Sequence, residues 1–163
     1  MFRHFIFLII ALIISRFIGL PPNFSPLLAA AIFMPRLTNS KYLQSFIPAL
    51  IVILSNFFLE TVNLFIFSSI IFIFLLAPVL SRKVNNLFYS SLIIMLCWFI
   101  LVNGAVWMIN GGSILSIYLG AVPFDFKLLV STLLYLSIFN FAELIYREFS
   151  RSNKKIIDSF FQK

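Results

Sequence analysis

VNLFIFSSIIFIFLLAPVL (residues 62–80), SRKVNN (81–86) and LFYSSLIIMLCWFILVNGAVWMI (87–109) follow one another without interruption. At about 1.5 Å per residue, each outer run is long enough to cross a hydrocarbon core of ~30 Å. The short stretch between them holds Arg82 and Lys83 and has room only for a tight reversal. Two membrane helices joined by a basic turn is the reading from which the rest of the chain is placed.

Working outward, the same alternation recurs. Arg3, Arg36, Lys41, Arg82, Lys83, Arg147, Arg151, Lys154, Lys155 and Lys163 sit before, between or after long apolar runs, and they alternate with connections nearly free of positive charge. Cytoplasmic loops carry that excess, so the pattern predicts an all-α integral membrane bundle of six transmembrane helices with both termini in the cytoplasm. The expected domains are a six-span membrane domain over residues 1–146 and a basic cytoplasmic tail over 147–163. Ile156, Ile157, Phe160 and Phe161 recur at helical spacing in that tail, which suits a segment lying along the inner leaflet.

Composition excludes most other classes. Of the 163 residues 62% are hydrophobic and 10% charged, with mean hydropathy +1.09, more apolar surface than a soluble domain of this length can hide. The net charge of +7 would suggest nucleic acid in a soluble protein, but here the positive-inside rule accounts for it, and no nucleic acid is expected. Cys97 is the only cysteine and His4 the only histidine, so neither a disulfide nor a zinc site is available, and no cofactor is expected. No phosphate-binding glycine loop or serine–histidine pair occurs, and no enzyme is expected. The basic tip and apolar core at the N-terminus lack a small-x-small cleavage site, so they read as a retained first span.

The expected spans are 5–20, 24–35, 42–59, 62–80, 87–109 and 126–146. Pro21 and Pro22 break the first. The second is too short for the bilayer, so its outer part must pack against protein rather than lipid. Ala29, Ala30 and Ala31 there, and Ala11 with Ser15 in span one, are small residues that let helices approach closely. The longest outer connection is expected over 110–125, with a short interfacial helix at 114–119.

Polar residues at the outer ends form the candidate site. Arg16 lies inside the outer end of span one, where a charge must snorkel or find a partner. Asn23 and Ser25 follow at the start of span two, Asn56 lies near the outer end of span three, and Asn103 and Trp107 share a face one turn apart on span five. Tyr118 comes from the long connection. Each also has a plainer use. Membrane amides join helices, and Trp and Tyr anchor at interfaces. Glu143 and Arg147, four apart on span six, are an ordinary helix-surface ion pair left outside the site.

Arg16, Pro22-Asn23-Phe24-Ser25-Pro26, Ala29-Ala30-Ala31, Leu54-Ser55-Asn56-Phe57, Asn103-Gly104-Ala105-Val106-Trp107 and Tyr118 with Ala121-Val122-Pro123-Phe124 together resemble a bacterial family of uncharacterised six-span proteins. That family is similar to the substrate-binding S components of energy-coupling-factor (ECF) vitamin transporters. Asn56 stands where the family pattern would carry Asp. The resemblance implies a multi-pass protein of the bacterial cell (inner) membrane that binds a small-molecule micronutrient at its outer face. It also implies a separate ECF membrane scaffold and ATPase subunits that supply energy. The alternative is a non-transport scaffold or interaction protein of the MreD type, with a sealed bundle and a working partner surface.

Overall fold

The computed structural model describes residues 10, 12–15, 18, 24–59 and 63–161, with side chains placed for all of these except 57–59 and 151–161. Five helices follow a helical turn at 12–15: α1 (Leu27–Leu37), α2 (Lys41–Leu59), α3 (Leu64–Val84), α4 (Leu87–Asn110) and α5 (Ile114–Phe161). The described residues contain no strand. Three helical stretches, Leu64–Val84, Leu87–Asn110 and Ile114–Ser150, are long and apolar enough to cross a membrane. Their outward faces carry Phe72, Leu96, Ile100 and Phe126, all exposed, as expected of surfaces that meet lipid.

The basic turn between α3 and α4 is made by its two asparagines. Asn85 takes the left-handed conformation (φ 52°) and its N–H closes on the Ser81 carbonyl. Asn is among the few residues that adopt this geometry cheaply. Asn86 then caps α4, its side chain accepting from the Phe88 and Tyr89 N–H groups at 3.0 and 3.2 Å. Asn63 does the same for α3 through the Phe65 N–H at 2.9 Å. Arg82 and Lys83 lie in the last turn of α3 rather than in the connection, where they face the negative end of the helix dipole.

α1 is the hub. Leu27 to Met34 are all buried, and Ala29, Ala30 and Ala31 have no exposed surface. Among the described residues, α1 packs against each of the other four helices, whereas α2 touches α1 and α3, and α5 touches α1 and α4. The four long helices therefore form a row, α2-α3-α4-α5, curved around a short helix. Between lipid-embedded helices there is little hydrophobic driving force, so close packing and hydrogen bonds must hold them. The alanines give the close approach, and Ser81 Oγ donates to the Ile32 carbonyl of α1 at 2.7 Å. At 11 residues α1 rises only about 17 Å. As its length required, it is covered by protein.

The final helix departs from expectation. The long connection at 110–125 is reduced to Gly111, Gly112 and Ser113, and the segment expected as an interfacial helix is the first turn and a half of α5. Gly111 (φ 66°) and Gly112 (φ 84°) make the reversal, in backbone conformations that side-chain-bearing residues rarely adopt. Gly120 and Pro123 look like loop punctuation, yet both lie inside α5. Membrane helices tolerate such residues because neighbouring helices support the freed backbone. Span six is therefore part of one helix from Ile114 to Phe161, and the tail beyond Tyr146 continues it without a break.

Candidate functional site

α4 and α5 are antiparallel neighbours across the glycine turn. Tyr118, Asp125, Thr132 and Phe139 recur every seven residues along α5, two helical turns apart, and so lie along one edge of it. That edge faces the bundle. Tyr118 Oη donates to the Ile100 carbonyl at 2.8 Å, and its ring meets Phe99 edge-on with centroids 5.2 Å apart. A methyl group on Gly104 would sit 3.2 Å from the Tyr118 hydroxyl, so glycine there allows the close approach. Phe139 packs against Phe33 of α1.

Asp125 is the centre of the group. It is buried, and each carboxylate oxygen accepts one neutral donor from α4: Oδ1 from Trp98 Nε1 at 3.1 Å, Oδ2 from Asn103 Nδ2 at 2.7 Å. Asn103 gives its second amide hydrogen to the Phe99 carbonyl at 3.0 Å. Both amide hydrogens thus have acceptors, and a flipped amide would place its oxygen against the carboxylate. Among the described residues the ion pairs are Arg36–Glu143 and Arg147–Glu143, so no described cation pairs with Asp125. Lys127, two residues on, is exposed, with its ammonium 5.9 Å from the Phe124 ring. One heptad further along α5, Thr132 is fully buried and its hydroxyl has no partner among the described residues.

The residues picked out in the sequence distribute as follows. Arg16 and Asn23 lie outside the described residues. Asn103 and Tyr118 belong to the Asp125 group. Trp107 lies at the end of α4, partly exposed, its indole N–H donating to the Gly112 carbonyl at 3.1 Å, so it braces the glycine turn. Ser25 lies elsewhere: its carbonyl accepts from Ser131 Oγ at 3.3 Å and its own hydroxyl accepts from the Leu27 N–H. Ser131 follows Asp125 by six residues, about 9 Å along α5. Asn56 is partly buried on α2, a helix that touches neither α4 nor α5. The expected convergence at one depth is thus resolved into separate levels, because α1 begins roughly halfway along the longer helices.

Two features were missed in the sequence. In the sequence Trp98 stands within an apolar run and Asp125 at the end of the expected 110–125 connection. The seven-residue recurrence of Tyr118, Asp125 and Thr132 is the signal that would have joined them. The second feature lies at the opposite end of the bundle, where Arg36 of α1 donates to Asn140 Oδ1 at 3.0 Å and approaches Glu143 at 3.9 Å. Glu143 also pairs with Arg147, as its spacing predicted, so the pair is one edge of a clamp between α1 and α5. Partial exposure keeps such a clamp weak, of order 1 kcal/mol or less.

Over residues 2–153 the chain matches the sequence model of a family described as "Family of unknown function (DUF6580)". No curated protein and no solved structure matches it.

Proposed function

The chain belongs to the DUF6580 family of unknown function, and we propose that it is a solute-binding subunit for micronutrient uptake. In this proposal it crosses the bacterial cell membrane six times, both ends are cytoplasmic, and separate scaffold and ATPase subunits supply the energy. The chain itself performs no chemistry. One observation carries the proposal: a buried carboxylate, inside a helix apolar enough to cross a membrane, held among the described residues by neutral donors. A charge at membrane depth costs about 2.5–3.5 kcal/mol by insertion scales, and such residues mark solute and ion pathways. The lone pairs of Asp125 that no described residue uses suit a solute that presents an N–H group or a cation, with the Trp98 indole beside them on α4 and the Thr132 hydroxyl about 10 Å further along α5.

A second reading, an MreD-type scaffold, is favoured by a different observation. Asn103, Trp107 and Tyr118 already spend their polar hydrogens inside the protein. The two separate by experiment. The full-length protein, purified in mild detergent, is analysed by native mass spectrometry for a co-purifying small molecule. The solute reading expects an adduct on the wild type that is lost in Asp125→Asn while the protein stays folded and monodisperse. A bare wild type, with Asp125→Asn raising the melting temperature, would leave the scaffold.

A further inference from the structure

Charge is shared unevenly at the basic end of the bundle. On the α1–α5 side, Arg36 and Arg147 both reach Glu143. On the α2–α3 side, Lys41 begins α2 and Arg82 and Lys83 lie in the last turn of α3, and neither helix carries an acidic residue. The acidic residues of the chain are Glu60, Asp125, Glu143, Glu148 and Asp158. All but Glu60 are on α5, which touches neither α2 nor α3 among the described residues. Glu60 follows Leu59 in sequence, with the rise of the 19-residue α2, about 28 Å, between it and Lys41. α2 and α3 pack on each other across a short connection and so run antiparallel. Matching Leu59 to Leu64 sets Lys41 level with about Arg82, which brings the three cations to one corner. The helix dipole favours Arg82 and Lys83 at the end of α3 but disfavours a cation at Lys41, at the start of α2. One guanidinium nitrogen of Arg82, Nη1, is shielded from solvent and has no acceptor among the described residues. A charged donor left without its bond is costly, so nothing described holds this side chain in place against an anion that would draw it outward.

From this we infer that the corner binds the phosphodiester headgroup of an anionic phospholipid in the adjoining leaflet, with Arg82 turned to the phosphate and Lys41 and Lys83 beside it. Two features select lipid over an acidic protein segment. Tyr42 on α2 and Tyr89 at the start of α4 are exposed at this same end, and exposed tyrosines at helix ends mark headgroup depth. Tyr42, Phe46, Leu50 and Leu54 then follow at intervals of four, all exposed, so the side of α2 below the cations is apolar over the length an acyl chain would cover. Basic groups between membrane helices at such a depth suit anionic headgroups. The inference is independent of whether the bundle binds a solute.

The test titrates the full-length protein, in mild detergent, with phosphatidylglycerol or phosphatidylcholine and reads the adducts by native mass spectrometry. The wild type should bind phosphatidylglycerol more tightly than phosphatidylcholine, and inorganic phosphate at matched concentration should not displace it. Lys41→Gln, Arg82→Gln and Lys83→Gln should each lower the preference roughly fivefold. Lys83 is exposed at the end of its helix, so Lys83→Gln gives the reading even where Arg82→Gln fails to fold. Lys127→Gln, an exposed cation of α5 outside the corner, should leave the preference unchanged. Equal affinity for the two lipids overturns the inference, as does an undiminished preference in Lys83→Gln. An equal loss in Lys127→Gln also overturns it, because the preference would then follow net charge. Displacement by inorganic phosphate would assign the corner to a free anion instead of a lipid.

Discussion

Asn103 on α4 donates to Asp125 on α5 across 2.7 Å and gives its other amide hydrogen to the Phe99 carbonyl of its own helix. One amide thereby fixes the rotation of α4 and the register of α5 together. Replacing it with Leu leaves Oδ2 without its donor and should destabilise the protein by about 1–3 kcal/mol. A double-mutant cycle of Asn103→Leu with Asp125→Leu, followed by thermal unfolding in detergent, should return a coupling of about 0.5–2 kcal/mol. Strict additivity would show that the bond contributes nothing.

Gly111 has φ 66° and ψ −162°, a region open in practice only to glycine. Gly111→Ala should cost about 1–3 kcal/mol although a methyl group there meets no neighbour within 4 Å, because the strain is in the backbone. Gly120→Ala, also free of neighbours but inside a helix, should be neutral or stabilising by up to about 1 kcal/mol. Equal effects at the two sites would contradict the turn geometry.

Ala30 has no exposed surface and lies on a helix touched by four others. Ala30→Leu should force the row of helices away from α1, with a loss of at least about 1–3 kcal/mol, or failure to accumulate in the membrane. Leu50→Ala, on an exposed part of α2, should change stability by less than about 0.5 kcal/mol and serves as its comparison.

The turn at Ser113 is expected on the outside of the cell. With Cys97 replaced, Ser113→Cys should react with an impermeant thiol reagent in intact cells. Reaction in inverted vesicles alone would reverse the topology.

Apolar length and positive charge made α2, α3 and α4 legible, their ends lying within a few residues of the expected 42–59, 62–80 and 87–109. The last helix was not legible in the same way. Gly120 and Pro123 suggest an irregular segment by local preference, and contact with α4 outweighs that preference by supporting the backbone from the side. The candidate site was harder still. Distance from a span end ranks residues by depth only when all helices share one length, and α1 does not. Ser25 and Asn103 therefore looked level in the sequence but belong to different levels in the fold. Asn103 on α4 and Tyr118 on α5 do come close in the fold, because along these two helices depth follows sequence distance from the turn.

The brevity of α1 also bears on how the protein is made. A segment rising about 17 Å cannot stand alone in a ~30 Å hydrocarbon core. Its walls are α2, α3, α4 and α5, all of which leave the ribosome after it does. Its seat in the bilayer therefore does not exist when it is synthesised, and it must wait, in the headgroup region or beside the insertion machinery, until the later helices close around it. For this chain, membrane insertion and tertiary folding are one event at α1, and a helix made before the four that wall it is among the last to be settled.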